Sequence, residues 1–269
     1  MRTQTTMTFA GSLEQEPPGW LAQLFHENTK ITPACRFEVE GRIAAAADDA
    51  EHLRPAPVTQ PGVPRVLLPR CRGWWGLDGV IQRRRTVRSF TPRSIPLRQL
   101  ARILFNAGGV SQWPRGAGAG PCWPLRTTPS AGALYAIELR VAALRVVGLE
   151  RAIYRYHPYD HCLERSAPHV PAEQLAEASL HPGVVQAAAA VLALCADWNR
   201  LIAKYGDRGY RYALLEAGHV AQNILLTCAD RGLAAVPIGG FLDDACALAM
   251  GGAVPAGCVV YLIALGRAG

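Results

Sequence analysis

Apolar positions along this chain repeat with two periods. Leu97, Leu100, Ile103 and Leu104 recur every three to four residues, behind Pro96 and ahead of Gly108 and Gly109, so the segment carries a start signal, a helical stripe and a stop signal. Residues 210–230 hold the same period for longer, through Leu214, Ala217, Val220, Ala221, Ile224, Leu225 and Cys228, and predict a central buried helix ending at Gly232. Shorter helices are predicted at 19–28, 171–180 and 243–250. Alternating β-branched residues over 137–147, then short runs at 152–156 and 162–164, predict a strand meander. Residues 187–196 are apolar throughout, which suits a buried strand or a buried helix. The strand is preferred because Asp197, Trp198 and Asn199 can start a helix of their own. Runs at 234–238 and 258–265 complete the pattern. Helices flanking a largely antiparallel sheet make an α+β domain.

Two stretches break the periods. Residues 44–72 are rich in proline and arginine and read as an irregular arm, so we divide the chain into an N-terminal helix and arm (1–76) and a main domain (77–269). Residues 111–124, rich in glycine and proline, predict a surface loop. Gly116, Gly118 and Gly120 there imitate a dinucleotide loop, but Pro121 follows and no strand precedes them, so that reading is rejected.

Composition adds limits. The chain has 269 residues, 50% hydrophobic, enough for one large core. Its formal charge of +7 comes largely from arginines between Arg65 and Arg102, without the interleaved aromatics of a nucleic-acid platform, so a local anion site or an acidic peptide partner is expected instead. No apolar run is long enough to span a bilayer, and a cytoplasmic location is expected. The eight cysteines are dispersed with no C-x-x-C pair, and Cys195, Cys228 and Cys258 are expected as small core hydrophobes. His157, His161 and Cys162 flank a Pro-Tyr-Asp turn and read as a hairpin rather than a metal site, so no metal is expected.

The chemistry is concentrated in two segments. Arg84, Arg85, Thr86 and Arg88 place guanidiniums and a hydroxyl within five residues, a fork able to chelate a phosphate, although an arginine run by itself also suits a solvated helix end. Downstream, Thr128-Pro129-Ser130-Ala131-Gly132-Ala133-Leu134-Tyr135 is a run of mostly small residues, which by itself suits an ordinary turn entering a strand. Together with Lys204-Tyr205-Gly206, Glu216 through Asn223, Pro237-Ile238-Gly239-Gly240 and the Phe25-to-Lys30 element, these motifs resemble the SagB-type dehydrogenases of the nitroreductase-like, FMN-dependent superfamily. The resemblance runs almost the whole chain. One departure is Ala136, where that family usually carries proline.

The resemblance implies a nitroreductase-like fold, two FMN molecules at the interface of an obligate homodimer, and oxidation of thiazoline or oxazoline rings in a peptide or carrier-bound substrate, alongside a cyclodehydratase or assembly-line partner. Arg84, Arg85, Thr86 and Arg88 correspond to the phosphate and ribityl contacts, with Arg267 a further cation. Pro129, Ser130, Ala131 and Gly132 correspond to the loop that meets the flavin from the neighbouring subunit, and Pro237, Ile238, Gly239 and Gly240 to the loop at its reactive edge. Lys204 and Tyr205 correspond to the catalytic pair. Read without the resemblance, those two are an exposed lysine and a packing tyrosine at a helix end, and His219 is a satisfied core histidine. An NAD(P)H-dependent reductase and a non-catalytic scaffold remain the alternatives.

Overall fold

The computed structural model describes residues 17–48, 75–114, 123–252 and 257–269. In chain order its first elements are α1 (Trp20–Thr29), α2 (Arg36–Asp48), α3 (Gly76–Arg83), β1 (Phe90–Thr91), β2 (Ile95–Pro96), α4 (Leu97–Gly108), β3 (Val110–Gln112) and β4 (Leu125–Arg126). A 3₁₀ turn, Ala131–Ala133, leads into β5 (Ile137–Ala143), β6 (Val146–Val147), β7 (Ile153–His157) and β8 (Cys162–Ala167). Then come α5 (Ala172–Ala178), α6 (Pro182–Ala187), β9 (Ala190–Asp197), α7 (Trp198–Tyr205) and α8 (Arg208–Asp230). The described chain closes with β10 (Ala234–Ile238), α9 (Asp243–Ala249) and β11 (Gly257–Ala268).

The main sheet has seven strands in the order β1, β11, β9, β5, β7, β8, with β10 also paired to β11, and every pairing in it is antiparallel. The uniformly apolar run at 187–196 becomes the strand β9, because both of its faces are covered. Ala190, Leu192, Leu194 and Ala196 point into one core with Leu100, Ile103 and Leu104 of α4 and Val220 and Ile224 of α8. Val191, Ala193 and Cys195 point into a second core with Leu175 of α5, Val185 of α6 and Cys246 of α9. A strand alternates faces every residue, so a sheet sandwiched between helices needs apolar residues at every position of its central strand. The architecture is α+β, as the periodicity predicts.

The helix at 210–230 is real, but it is buried on one side only. Ala213, Ala217, Val220 and Ile224 face the core, whereas Leu214, Leu215, His219 and Gln222 lie on the opposite face and are exposed. The core-histidine reading of His219 is therefore wrong: at 3.6 residues per turn, position 219 falls away from the buried stripe. The first residues expected in the irregular arm, 44–48, are helical. The alanine run Ala44 to Ala47, the best of helix formers, explains why they continue α2 instead of turning irregular. Residues 49–74 of the arm and 115–122 of the glycine-rich loop lie outside the described residues; β3 and β4 pair as that loop's stem. Among the described residues, no helix is long and apolar enough to cross a membrane.

The described cysteines are free, with Cys195 and Cys228 fully buried and Cys258 half-buried; burial pushes all three thiols up to about 12. Cys71 and Cys122 lie outside the described residues. β7 and β8 form the predicted hairpin, with His157 opposite Cys162; His157 contacts Glu164 at 2.6 Å, and His161 Nδ1 lies 2.8 Å from the Tyr156 hydroxyl.

Candidate active site

The loop from Thr127 to Ile137 is suspended between α4 and α8. Thr127 Oγ1 donates to Phe105 O at 3.0 Å and Thr128 Oγ1 to Ala107 O at 2.5 Å, joining the loop to the end of α4. From α8, Asn223 Nδ2 donates to Asn106 O and Thr128 Oγ1, both at 3.0 Å. One turn pair earlier on the same helix, the Glu216 carboxylate accepts from Ser130 Oγ and, at 2.9 Å, from Ile137 N; Ser130 Oγ in turn accepts from Tyr135 N at 2.8 Å. Arg200 of α7 donates to the carbonyls of Leu134 and Tyr135 at 3.1 and 3.0 Å.

These ties hold an unusual backbone. Gly132, Ala133 and Tyr135 have φ of 58°, 54° and 48°. Glycine adopts that region freely, but each of the other two costs on the order of 1–3 kcal/mol and persists only where its surroundings over-determine it. Ala136, in place of the usual proline, is buried, and its carbonyl accepts from Asp197 N at 2.9 Å.

Lys204 and Tyr205 sit at the end of α7, a helix capped by the Asp197 side chain, which accepts from Arg200 N at 3.3 Å, and terminated at Gly206, φ 55°. Their side chains reach the bend of the loop. A β-carbon at Gly132 would overlap the Tyr205 hydroxyl and stand 2.6 Å from Lys204 Nζ. Lys204 is exposed, while Tyr205 is half-buried with its ring edge-on to Tyr212 at 4.9 Å. The structure thus brings Pro129, Ser130, Ala131 and Gly132 together with Lys204 and Tyr205, although these stretches are some 70 residues apart in the numbering.

A second group forms around β10 and β11. Arg84 closes α3, its N–H bonding Val80 O, and its Nη1 lies 3.5 Å from Thr86 Oγ1. Val87 N donates to Ala235 O at 3.1 Å, which pins the arginine run beside the start of β10. Arg267 arrives on β11 opposite Thr91, its Nε donating to Ser94 O at 3.2 Å. Arg85 spends Nη1 on the carbonyls of Gln82 and Arg84, at 2.7 and 2.9 Å, so part of its fork caps α3. Arg88 is exposed. Pro237 and Ile238 end β10, and Gly239 and Gly240 follow; Gly239 is open to solvent, and a β-carbon at Gly240 would press Leu180 Cδ1 at 2.9 Å. At about 3.3 Å per strand residue, the four steps from Ala235 to Gly239 separate the basic end from the glycine end by roughly 13 Å.

Beneath the loop lies a cavity of about 610 Å³, bordered by Thr128, Tyr135, Tyr156, Arg200 and Glu216. Arg126 stands at its edge, 4.6 Å over the Tyr135 ring and 5.2 Å over that of Tyr159, and its buried Nε has no hydrogen-bond partner among the described residues. Burial raises the Glu216 carboxyl above its usual range, opposed by the bonds from Ser130 and Ile137.

Glu216 and Asn223 belong to a motif the sequence displays but were not expected as site residues. The signal was available: both are polar, and Glu216 adjoins Ala217 on the apolar stripe of a long helix.

Comparison with known proteins matches residues 81–267 to the nitroreductase family. The chain belongs to that family. MJ1384 of Methanocaldococcus jannaschii, named as a nitroreductase, is 39% identical over 168 residues, covering 62% of this chain and 80% of the relative. Among solved structures, a chain of the E. coli microcin synthetase McbBCD complex with truncated pro-MccB17 bound superposes with a TM-score of 0.69 at 20% identity, covering 93% of this chain and 92% of that one. A Ralstonia eutropha protein named as a nitroreductase gives 0.59 at 26% identity, over 80% and 96%.

Proposed function

We propose that this family member is an FMN-dependent dehydrogenase of the SagB type, which oxidises a thiazoline or oxazoline in a peptide or carrier-bound substrate to the azole. The observation that carries the reading is the meeting of Lys204 and Tyr205 with the bend at Gly132. A reductase of the same family needs a flavin site, but not an amine and a phenol aimed at that loop. The shared fold with a chain of a microcin synthetase complex that has truncated pro-MccB17 bound agrees with it.

The donor set suits FMN. Arg84, Arg85, Thr86 and Arg88, with Arg267, offer charge-assisted bonds to a phosphate, and the open backbone at Gly239 faces where a flat ring can lie roughly 13 Å further along β10. FMN held there would supply the hydride acceptor of the reaction, with dioxygen as the final oxidant. The azoline loses two hydrogens, one as hydride and one as a proton. Lys204 Nζ accepts the proton, and the Tyr205 hydroxyl orients the amine. Lys204 is exposed on a single chain, so a base of this kind needs cover.

A second copy of the chain is the natural cover. The outer face of α8 presents Leu214 at 43% and Leu215 at 60% exposure, apolar surface suited to a homodimer in which one chain's arginine group faces its partner's loop and Lys-Tyr pair. The deciding experiment is turnover of an azoline-containing peptide by purified, flavin-loaded protein. Lys204→Ala should abolish ring oxidation and leave the flavin bound; unchanged oxidation refutes the assignment of the base. Prompt anaerobic bleaching of the flavin by NAD(P)H, without azoline oxidation, would instead establish the nicotinamide-dependent reductase.

A further inference from the structure

The element from Phe25 to Lys30 has no role in the site described above. It lines a cavity of about 490 Å³ on the other end of α7. One wall is aromatic: Trp198 and Tyr210 stack with centroids 4.7 Å apart and planes 8° from parallel, and His26 tilts against both at 5.7 and 6.2 Å. The rim is acidic. Glu27 and Asp244 share one lysine, Lys30, at 3.0 and 3.1 Å, and Asp243 accepts from Ile31 N at 2.9 Å. Three carboxylates therefore face one ammonium, leaving a net −2 on the rim of a chain whose formal charge is +7. Burial and Lys30 lower the His26 pKa, so the imidazole adds no charge at neutral pH.

From these residues we infer that the cavity is a subsite for a lysine or arginine side chain of the substrate peptide, its alkyl stem lying on the Trp198–Tyr210 wall and its cationic head meeting Glu27, Asp243 and Asp244. Long basic side chains combine an apolar stem with a charged tip, and aromatic faces with nearby carboxylates satisfy both. An anionic or neutral apolar group would leave the carboxylates uncompensated. The inference rests on the peptide-substrate reading above and adds a distance to it. Trp198 opens α7 and Tyr205 closes it, so the subsite and the Lys204–Tyr205 pair are about 10 Å apart along the helix axis, at 1.5 Å per residue. Three extended residues span that distance. The basic residue belongs about three to five positions from the ring being oxidised.

The test uses the full-length, flavin-loaded protein and two fluorescein-labelled decapeptides. Both carry the product azole, so that binding is read without turnover; one has arginine four residues from the ring and the other citrulline. The arginine peptide should bind about tenfold more tightly by anisotropy, and Glu27→Gln/Asp244→Asn should erase that difference without weakening the citrulline peptide. Equal binding of the two peptides to the unmodified protein overturns the subsite, a comparison that does not depend on the double variant folding. The matching azoline peptides separate the two readings. Tight arginine-dependent binding without oxidation removes the azoline activity and leaves the subsite, whereas oxidation with the same KM for both peptides removes the subsite and leaves the activity.

Discussion

Gly132→Ala probes the site through a single methyl group. Two costs are expected, and they separate. The backbone at φ 58° is free for glycine and costs alanine about 1–2 kcal/mol. The new β-carbon would also overlap the Tyr205 hydroxyl and lie 2.6 Å from Lys204 Nζ, below the 3.4 Å or so of ordinary contact. Both obstructing atoms are the far ends of flexible side chains, so the clash is relieved by turning each side chain off its rotamer, about 0.5–1.5 kcal/mol apiece. A total of roughly 2–5 kcal/mol lowers the melting temperature by about 2–4 °C per kcal/mol in a domain of this size. The protein should stay folded. The tips of Lys204 and Tyr205, however, must retreat by close to an ångström, and if they act as proposed, misplacement on that scale can cost on the order of 100-fold in rate.

The prediction is therefore a modest loss of stability and a large loss of azoline turnover per bound flavin. A double-mutant cycle isolates the contact. In a Tyr205→Phe background the overlapping oxygen is gone, so Gly132→Ala should cost about 0.5–1.5 kcal/mol less, leaving the backbone cost and the Lys204 contact. Thermal or urea unfolding of the four proteins measures this directly. The same cost in both backgrounds, or full turnover by Gly132→Ala, would refute the claim that the loop and the Lys-Tyr pair meet.

Other consequences are equally concrete. Glu216→Ala removes the acceptor for Ser130 and Ile137, about 1–3 kcal/mol for each group left without a partner, and should release the loop to hydrogen exchange while the sheet stays protected. Because burial raises the Glu216 pKa, the folded state holds its proton to higher pH than the unfolded chain does; stability from this group is full below about pH 4.5 and falls as pH rises through the folded value, and Glu216→Gln should flatten that slope in urea titrations. Arg88→Ala with Arg267→Ala should lower retained flavin on purification without shifting the melting temperature of flavin-free protein by more than a few degrees; undiminished flavin rejects the phosphate assignment. Leu214→Lys/Leu215→Lys should convert a dimer to a monomer in sedimentation and abolish turnover together, whereas a dimer that persists excludes the outer face of α8 as its interface.

How much of this was legible in the sequence depended on whether the signal was local. Helix α4 was fully predicted, since Pro96, the stripe from Leu97 to Leu104 and Gly108-Gly109 lie within a dozen residues. The strand β9 was predicted correctly from a pattern that by itself allowed either element, and the deciding clue was the helix start at Asp197 next to it. Helix α8 was predicted in place and length, but not in environment. Periodicity identifies a buried stripe and says nothing about what covers the other face, so Leu214 and His219 were assigned to the core when they lie outside it. Contacts between distant segments were least legible. That Lys204 and Tyr205 meet Gly132 follows from how α7 is laid beside the loop after β9 pairs with β5, a tertiary fact with no local trace. Glu216 is an intermediate case. A carboxylate beside the apolar stripe of a long helix is costly to bury unless something is bound to it, so Glu216 announced a partner in the sequence. Only the fold names that partner as Ser130 and Ile137, and thereby explains why a glutamate in the interior of a helix governs the shape of a loop 80 residues before it.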